Sequence, residues 1–266
     1  MEADDLLGFQ QIEVPMGPID THAHLADLLD KKSAVDRAKN ARLSGIVAVG
    51  TTLSACKSTL DLATSNPGYV HAALGIHPTE FFDQDLQSSL DFIMENWNRC
   101  IAIGEIGLDY WNKLIRKDKA QRERQIEFYV TQLRLARELD LPVSIHSRGA
   151  WRDCLKYASE NSSGKGVFHW YSGPLDILED ILDAGFYVSC TPALDSSPEL
   201  RAAMVKAPIE RILVETDSPV WIKTQNRSSE PADVLLTIRN LGELKGLSED
   251  DIIETTTRNA KTLFKI

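Results

Sequence analysis

Most histidines in this sequence stand where a short apolar run ends. Five of the six are placed at or just after the end of such a run: His22, His24, His77, His146 and His169. Two acidic residues share this position, because Glu105 ends the run that begins at Ile101 and Asp217 follows the run that begins at Ile212. A carboxylate there is costly to bury unless it is paired or coordinated. Imidazole and carboxylate groups without thiolates suit zinc, manganese, iron or magnesium.

These residues divide into ligands for two cations. His22 and His24 are two residues apart on one predicted strand, so both rings point to the same side of it. The predicted division gives one ion His22, His24 and Asp217, gives a second ion His146 and His169, and lets Glu105 bridge both. Two neighbouring divalent ions usually activate a water and neutralise a phosphoryl or carbonyl oxygen. The pattern therefore indicates a hydrolase.

The ligands need a scaffold that brings the ends of several strands together. Short apolar runs alternate with amphipathic stretches, which is typical of repeated β-α units on a parallel sheet. The predicted strands are Pro18–His24, Gly45–Gly50, Tyr69–Ile76, Cys100–Ile106, Pro142–His146, Gly166–His169, Phe186–Cys190 and Ile212–Thr216. The clearest predicted helices are Lys117–Leu139, Ala232–Glu243 and Glu249–Phe264.

Eight such units predict the fold class α/β, as a TIM (β/α)8 barrel, which needs about 250 residues. We predict an acidic leader at residues 1–17 and a single barrel domain at residues 18–266. The competing fold is an open doubly wound sheet. No GxGxxG or Walker A pattern follows the first predicted strand, which argues against that sheet.

Composition narrows the class of protein further. The 266 residues carry a net charge of −10, with 43% hydrophobic side chains, which excludes disordered and fibrous classes. The acidic balance argues against a passive polyanion-binding surface, which would need clustered Lys and Arg. No long uncharged apolar stretch and no basic N-terminal start is present, so no membrane association and a cytoplasmic location are expected. The four cysteines are widely spaced and are interpreted as small core residues.

An ordered series of motifs resembles the TatD family of metal-dependent deoxyribonucleases, in the amidohydrolase superfamily of TIM barrels. The series comprises Asp20-Thr-His-Ala-His24, Gly75-Ile-His-Pro78, Gly104-Glu-Ile-Gly-Leu-Asp109, Ile145-His-Ser-Arg148, His169-Trp-Tyr-Ser-Gly173 and Glu215-Thr-Asp-Ser-Pro219. The resemblance implies that the six residues assigned above are the metal ligands. It also implies that His77 and Arg148 bind substrate phosphate. Glu215, two residues before Asp217, is expected to orient a ligand.

The resemblance implies a phosphodiesterase that acts on DNA as a 3′–5′ exonuclease on single strands or frayed ends. Two divalent ions, Mg²⁺ or Mn²⁺ with Zn²⁺ as an alternative, would lower the pKa of a water that attacks phosphorus. Asp217 would accept its proton and Glu105 would share the catalytic centre. Aromatic side chains near the predicted mouth, among them Trp170 and Tyr171, would stack on bases. We expect a monomer.

Two other functions stay open at this point. A hydrolase of small amides, esters or lactones could use the same metal pair. The sequence departs from the usual family pattern at His169-Trp-Tyr-Ser-Gly173 and Asn226–Pro231, in loops expected to face the substrate. Basic residues near the mouth would favour a nucleic acid, and Lys113, Arg116, Lys117, Arg148, Lys223 and Arg227 are candidates. A non-catalytic scaffold with a structural metal is disfavoured, because open metal sites stabilise a fold poorly.

Overall fold

The computed structural model describes residues 17–266. In this range eight parallel strands form one sheet in sequential order. They are β1 (Ile19–Ala23), β2 (Gly45–Val49), β3 (Val70–Leu74), β4 (Ala102–Gly107), β5 (Val143–His146), β6 (Gly166–Phe168), β7 (Tyr187–Cys190) and β8 (Ile212–Val214). A short antiparallel hairpin, β9 (Trp221–Ile222) with β10 (Arg227–Ser228), follows β8.

Helices fill the connections between the strands. They are α1 (Lys31–Asn40), α2 (Leu53–Ser65), α3 (Leu86–Glu95), α4 (Lys113–Lys117), α5 (Lys119–Glu138), α6 (Trp151–Asn161), α7 (Leu175–Asp183), α8 (Pro198–Lys206), α9 (Val234–Lys245) and α10 (Glu249–Phe264). Capping residues explain several of their starts, since the side chains of Thr52, Asp118 and Ser248 accept backbone N–H groups of the first turns of α2, α5 and α10.

Contacts between the first and last strands close the sheet into a barrel. The backbone N–H of His24 donates to Ser218 O at 2.7 Å, and the N–H of Asp217 donates to His22 O at 2.9 Å. The hydroxyl of Thr21 donates to Val214 O at 3.0 Å. Two candidate ligand segments, one on β1 and one after β8, are therefore fixed to each other through the backbone.

Apolar side chains fill the N-terminal end of the barrel. Val47 and Val49 pack in one cluster with Leu263 and Phe264 of α10, while Ile46 and Ala48, which alternate with them along β2, pack in the larger cluster beneath the helices. This alternation is the period-two pattern of a strand with two buried faces. The last helix therefore seals the end of the barrel opposite the strand C-termini.

The predicted fold class is confirmed, and all eight predicted strands are present with ends that differ by at most two residues. The final predicted helix, Glu249–Phe264, has the bounds of α10. Almost all of the predicted leader lies outside the described residues. Within residues 17–266 no helix combines the length and the apolar character needed to cross a bilayer.

Candidate metal centre

The two histidines of β1 point at the same carboxylates. Their Nε2 atoms lie 3.3 Å (His22) and 3.4 Å (His24) from Glu105 Oε2. The same atoms lie 3.6 Å and 3.0 Å from Asp217 Oδ1. Ser144 fixes the His22 ring, because its Oγ contacts Nδ1 at 3.1 Å and leaves Nε2 directed into the site. The four groups predicted for the first cation are thus brought together.

Glu105, at the end of β4, stands between two sets of histidines. Its Oε2 faces the β1 histidines, whereas its Oε1 lies 2.9 Å from His146 Nδ1 and 2.7 Å from His169 Nε2. The carboxylate is buried, and burial alone would raise its pKa. The surrounding histidines instead hold the pKa of Glu105 well below its usual range. The side chain therefore has one oxygen for each predicted group of ligands.

The donor set fits a divalent cation. Ligand atoms that bind one cation at about 2.0–2.2 Å in a tetrahedral site lie about 3.3–3.6 Å from each other, which is close to the distances of 3.0–3.6 Å found here. His22 Nε2 and Glu105 Oε2 are buried and make no hydrogen bond with any residue in 17–266, although they lie 3.3 Å apart. Burial lowers the pKa of His24, but the hydrogen bond and charge of Asp217 outweigh it and raise that pKa to about 9. The carboxylates therefore favour positive charge at this point.

The turn after β8 holds Asp217 in an uncommon backbone conformation. Its φ of 51° lies in the left-handed region, which Asp tolerates better than most residues. The backbone hydrogen bond to His22 O keeps it there. Trp170, after β6, also has a positive φ, of 41°, and its N–H donates to Ser189 Oγ and Glu215 Oε1. Such strained positions concentrate at functional sites.

Glu215 lies beneath the cluster and is fully buried. Its Oε1 lies 3.4 Å from His169 Nδ1, so the opposite ring nitrogen, Nε2, points at Glu105. This is the contact expected of a residue that orients a ligand.

His77 lies beside the cluster as a neutral hydrogen-bond donor. The backbone N–H of Thr79 donates to His77 Nδ1 at 3.1 Å, so the ring proton is on Nε2. This Nε2 lies 3.2 Å from Glu105 Oε1, and burial lowers the pKa of His77. Because Nε2 carries a proton, His77 suits contact with an anionic oxygen better than it suits a cation.

Arg148 lies at the edge of the cavity and is held by a residue that the sequence analysis did not assign. Its Nε and Nη2 donate to Asp109 Oδ2 at 2.9 and 2.6 Å, so one edge of the guanidinium is already used. Nη1 makes no hydrogen bond with a described residue and remains available to a ligand.

The other missed residue, Ser144, stands two positions before His146 on β5. This is the spacing that also relates Glu215 to Asp217, and it was the available signal.

A cavity of about 1040 Å³ opens above the cluster. Trp170 lines it, as do Trp111 and Trp221, each 59% exposed. Tyr171 does not fit the stacking role expected of it, because it is fully buried and its hydroxyl donates to Pro174 O at 2.7 Å.

Few of the basic residues considered above reach the cavity. Arg148 and Lys223 line it, but Lys113, Arg116 and Lys117 lie on α4 outside its lining. Arg227 is paired with Asp233. Asp195 and Glu199 line the cavity as well, so its walls are not basic overall.

Comparisons with known proteins identify the family of the chain. The model of the family described as TatD related DNase matches residues 19–265. The human protein named Deoxyribonuclease TATDN3 is 30% identical over 261 residues, which cover 94% of this chain and 95% of the relative. The protein named 3′-5′ ssDNA/RNA exonuclease TatD, from Pectobacterium carotovorum, is 29% identical over 89% of this chain and 94% of its own length.

A solved structure gives the same result for the fold. The crystal structure of YjjV, a TatD homologue from Escherichia coli, superposes with a TM-score of 0.83 at 27% identity and covers 93% of this chain and 98% of its own. The resemblance inferred from the motifs is confirmed, and the protein belongs to the TatD related DNase family.

Proposed function

We propose that the protein is a metal-dependent phosphodiesterase that removes nucleotides from the 3′ end of DNA, on single strands or frayed ends. The observation that carries this proposal is the position of Glu105, whose two carboxylate oxygens face two separate sets of histidines 2.7–3.4 Å away. Such a carboxylate suits a pair of divalent cations. Bound there, the cations would polarise a phosphate oxygen and lower the pKa of a water.

Asp217 is the proposed general base. Its Oδ1 contacts His24 Nε2 at 3.0 Å, while its Oδ2 makes no hydrogen bond with any residue in 17–266. The carboxylate also lines the cavity, so this oxygen can reach a water beside the substrate. Hydrogen bonding to His24 and the histidine charges hold the pKa of Asp217 below its usual value against the effect of burial, which keeps the carboxylate ionised.

Two residues of the chain are proposed to bind the phosphate. His77 offers Nε2–H and Arg148 offers Nη1, and both side chains line the cavity. A charge-assisted hydrogen bond from Arg148 would fix a phosphate oxygen more strongly than a neutral donor would. Burial lowers the pKa of His77, so the ring is neutral at neutral pH, and the hydrogen bond to Nδ1 leaves its one proton on Nε2 as the donor.

The size of the cavity and its three tryptophans favour a nucleotide chain over a small ester or amide. Its volume of about 1040 Å³ lies at the upper end of common small-molecule sites. Trp170, Trp111 and Trp221 offer stacking surfaces, and stacking holds a single strand without reading its sequence. The proposal includes Mg²⁺ or Mn²⁺ as the activating ion, a preference for single strands, and a monomer in the cytoplasm.

A time course on 5′-labelled single-stranded DNA tests the proposal. The wild-type chain is expected to give a ladder of shortening products with Mg²⁺ or Mn²⁺ and none with EDTA. Asp217→Asn should abolish the ladder and keep the circular dichroism spectrum. The matched control is Asp183→Asn, an exposed aspartate at the end of α7. Intact DNA with every metal would overturn the proposal and move the function to a small ester or amide on the same centre.

A further inference from the structure

Asp109 makes more contacts with the site than its position outside the ligand set would suggest. The side chain is fully buried at the start of the loop after β4. Its Oδ2 lies 3.3 Å from His146 Nε2 and accepts both Nε and Nη2 of Arg148. Its Oδ1 accepts the backbone N–H groups of Trp111 and Asn112, each at 3.0 Å. One buried carboxylate thus meets donors on both of its oxygens.

We propose that Asp109 is a positioning residue that couples a metal-ligating histidine to the substrate-binding arginine, so that cation affinity and phosphate affinity depend on the same carboxylate. The cation half of this inference rests on the geometry of His146. The substrate half also rests on the proposed phosphodiesterase function.

For His146, the Asp109 carboxylate determines which ring nitrogen carries the proton. An ionised carboxylate accepts a hydrogen bond from Nε2–H, and this leaves the lone pair on Nδ1. Nδ1 is the atom that faces Glu105 Oε1 at 2.9 Å. Asp109 therefore selects the tautomer and the ring orientation that direct a bare nitrogen into the metal centre. Without this acceptor the ring could rotate or carry its proton on the wrong atom.

For Arg148, the Asp109 carboxylate fixes the orientation of the guanidinium group. The side chain is 53% exposed, and a free arginine at such a position would lose considerable rotamer freedom on binding a ligand. Asp109 holds Nε and Nη2, whereas Nη1 makes no hydrogen bond with a described residue and belongs to a side chain that lines the cavity. The guanidinium is thereby preorganised, and less entropy is lost when Nη1 meets a phosphate oxygen.

The loop that carries Asp109 is itself tied to the His77 loop. Gln125 of α5 is fully buried, its Oε1 accepts the N–H of Asp109 at 3.1 Å, and its Nε2 donates to Pro78 O at 2.7 Å. These backbone contacts do not involve the Asp109 carboxylate. A purely structural role for Asp109 would therefore be confined to the two N–H groups at Oδ1, which have no part in cation binding.

The variant Asp109→Asn separates the two roles. The shape of the side chain is kept, but an amide has one acceptor oxygen where the carboxylate has two. If that oxygen keeps the N–H groups of Trp111 and Asn112, the NH₂ group faces the donors of His146 and Arg148. The matched control is Asp153→Asn. Asp153 accepts the hydroxyl of Tyr110 at 2.6 Å beside the same loop and contacts neither His146 nor Arg148.

Mn²⁺ titration calorimetry of the full chain, without DNA, is the first test. We expect Asp109→Asn to weaken Mn²⁺ binding by about 10–100-fold, and we expect Asp153→Asn and Arg148→Met to leave it unchanged. Unchanged Mn²⁺ affinity in a folded Asp109→Asn variant would overturn the proposal. The calorimetry uses no DNA, so its result is valid even if the protein does not cleave DNA.

A kinetic cycle on single-stranded DNA is the second test. Asp109→Asn and Arg148→Met should each raise KM, and at saturating Mn²⁺ the double variant should have a KM close to that of Arg148→Met alone. If the KM increases of the two single variants multiply in the double variant, Asp109 does not act through Arg148. If all variants cleave DNA with the wild-type KM, both the coupling and the phosphate-binding role of Arg148 are wrong, while the proposed cleavage of DNA stands.

The tautomer can be read in the wild-type chain, which covers the case in which Asp109→Asn does not fold. The ring nitrogens of ¹⁵N-histidine-labelled protein loaded with Zn²⁺ are measured by NMR, with His146→Asn to assign the signals. We expect the proton of His146 on Nε2. A proton on Nδ1 would overturn the proposal.

Discussion

The N-terminal end of the barrel is filled with apolar side chains, whereas the C-terminal end gathers five histidines around one buried carboxylate. At the first end, Val47, Leu263 and Phe264 pack into one buried apolar cluster. At the second end, His22 and Glu105 keep buried polar atoms that have no hydrogen-bond partner among residues 17–266. Unpaired buried polar groups destabilise a fold unless a ligand pairs them. The comparison assigns stability to one end and chemistry to the other, as is general for TIM barrels.

The largest loss of activity is expected for a substitution of Glu105, at the C-terminal end of the barrel. Glu105→Gln removes the charge shared by both groups of ligands, so we expect kcat on single-stranded DNA to fall by about 10³-fold or more. Mn²⁺ binding should weaken at the same time, while circular dichroism shows a folded chain. A folded Glu105→Gln protein that binds Mn²⁺ with wild-type affinity would contradict the assignment.

The opposite pattern is expected at the sealed end. Phe264 is 3% exposed, and Phe264→Ala should lower the free energy of unfolding by about 3–5 kcal/mol in a urea titration. Turnover per folded molecule should not change, because the ring does not reach the cavity. Lys261→Ala, an exposed position on the same helix, serves as the control. A fall in kcat at temperatures where the variant is fully folded would show that the ends are not independent.

Cation binding at the C-terminal end should raise the unfolding free energy of the whole chain by mass action alone, whatever residue stands at the N-terminal end. At a Mn²⁺ concentration of 100 times Kd, the wild-type chain should gain about 2.7 kcal/mol in unfolding free energy for each ion that binds. Phe264→Ala should gain the same amount, because the altered position is far from the ligands, while Glu105→Gln should gain much less. Thermal unfolding with and without Mn²⁺ measures these increments. Equal increments in all three proteins would place the cation elsewhere.

The smallest effect is expected on the cavity wall. Trp170→Ala should cost about 1–3 kcal/mol of stacking per base, seen as a roughly 5–150-fold higher KM for an oligonucleotide with unchanged Mn²⁺ content. Trp97→Ala changes an exposed tryptophan that does not line the cavity and should have no effect on KM. Identical KM values for both variants would mean that Trp170 packs and does not bind substrate.

Periodicity and strand-end placement were enough to predict the barrel and the cluster. His22 and His24 meet Glu105 because strand ends of a parallel barrel converge, and the sequence records which residues stand there. The side-chain environments could not be predicted in the same way. Tyr171 follows a strand as Trp170 does, yet one is buried and the other lines the cavity, because the local turn decides the direction.

Contacts between distant segments were also beyond the sequence. The link from Asp109 to His146 spans 37 positions and depends on two loops that meet only in the folded barrel. Gln125 joins Pro78 and Asp109 in the same way, and nothing in the amphipathic pattern of α5 distinguishes it from a surface glutamine. Ser144 is the exception, because its spacing of two from His146 already places it on the same face of β5.

The central claim is that Glu105 joins two cation sites in one hydrolytic centre. The most direct test titrates Mn²⁺ into the metal-free chain and follows, in the same samples, the number of bound ions by electron paramagnetic resonance and the cleavage of 5′-labelled single-stranded DNA. We predict two ions per wild-type chain, with cleavage appearing as the second ion binds, and at most one ion and no cleavage for Glu105→Gln. Full cleavage with a single bound ion, or two ions bound to Glu105→Gln, would contradict the account.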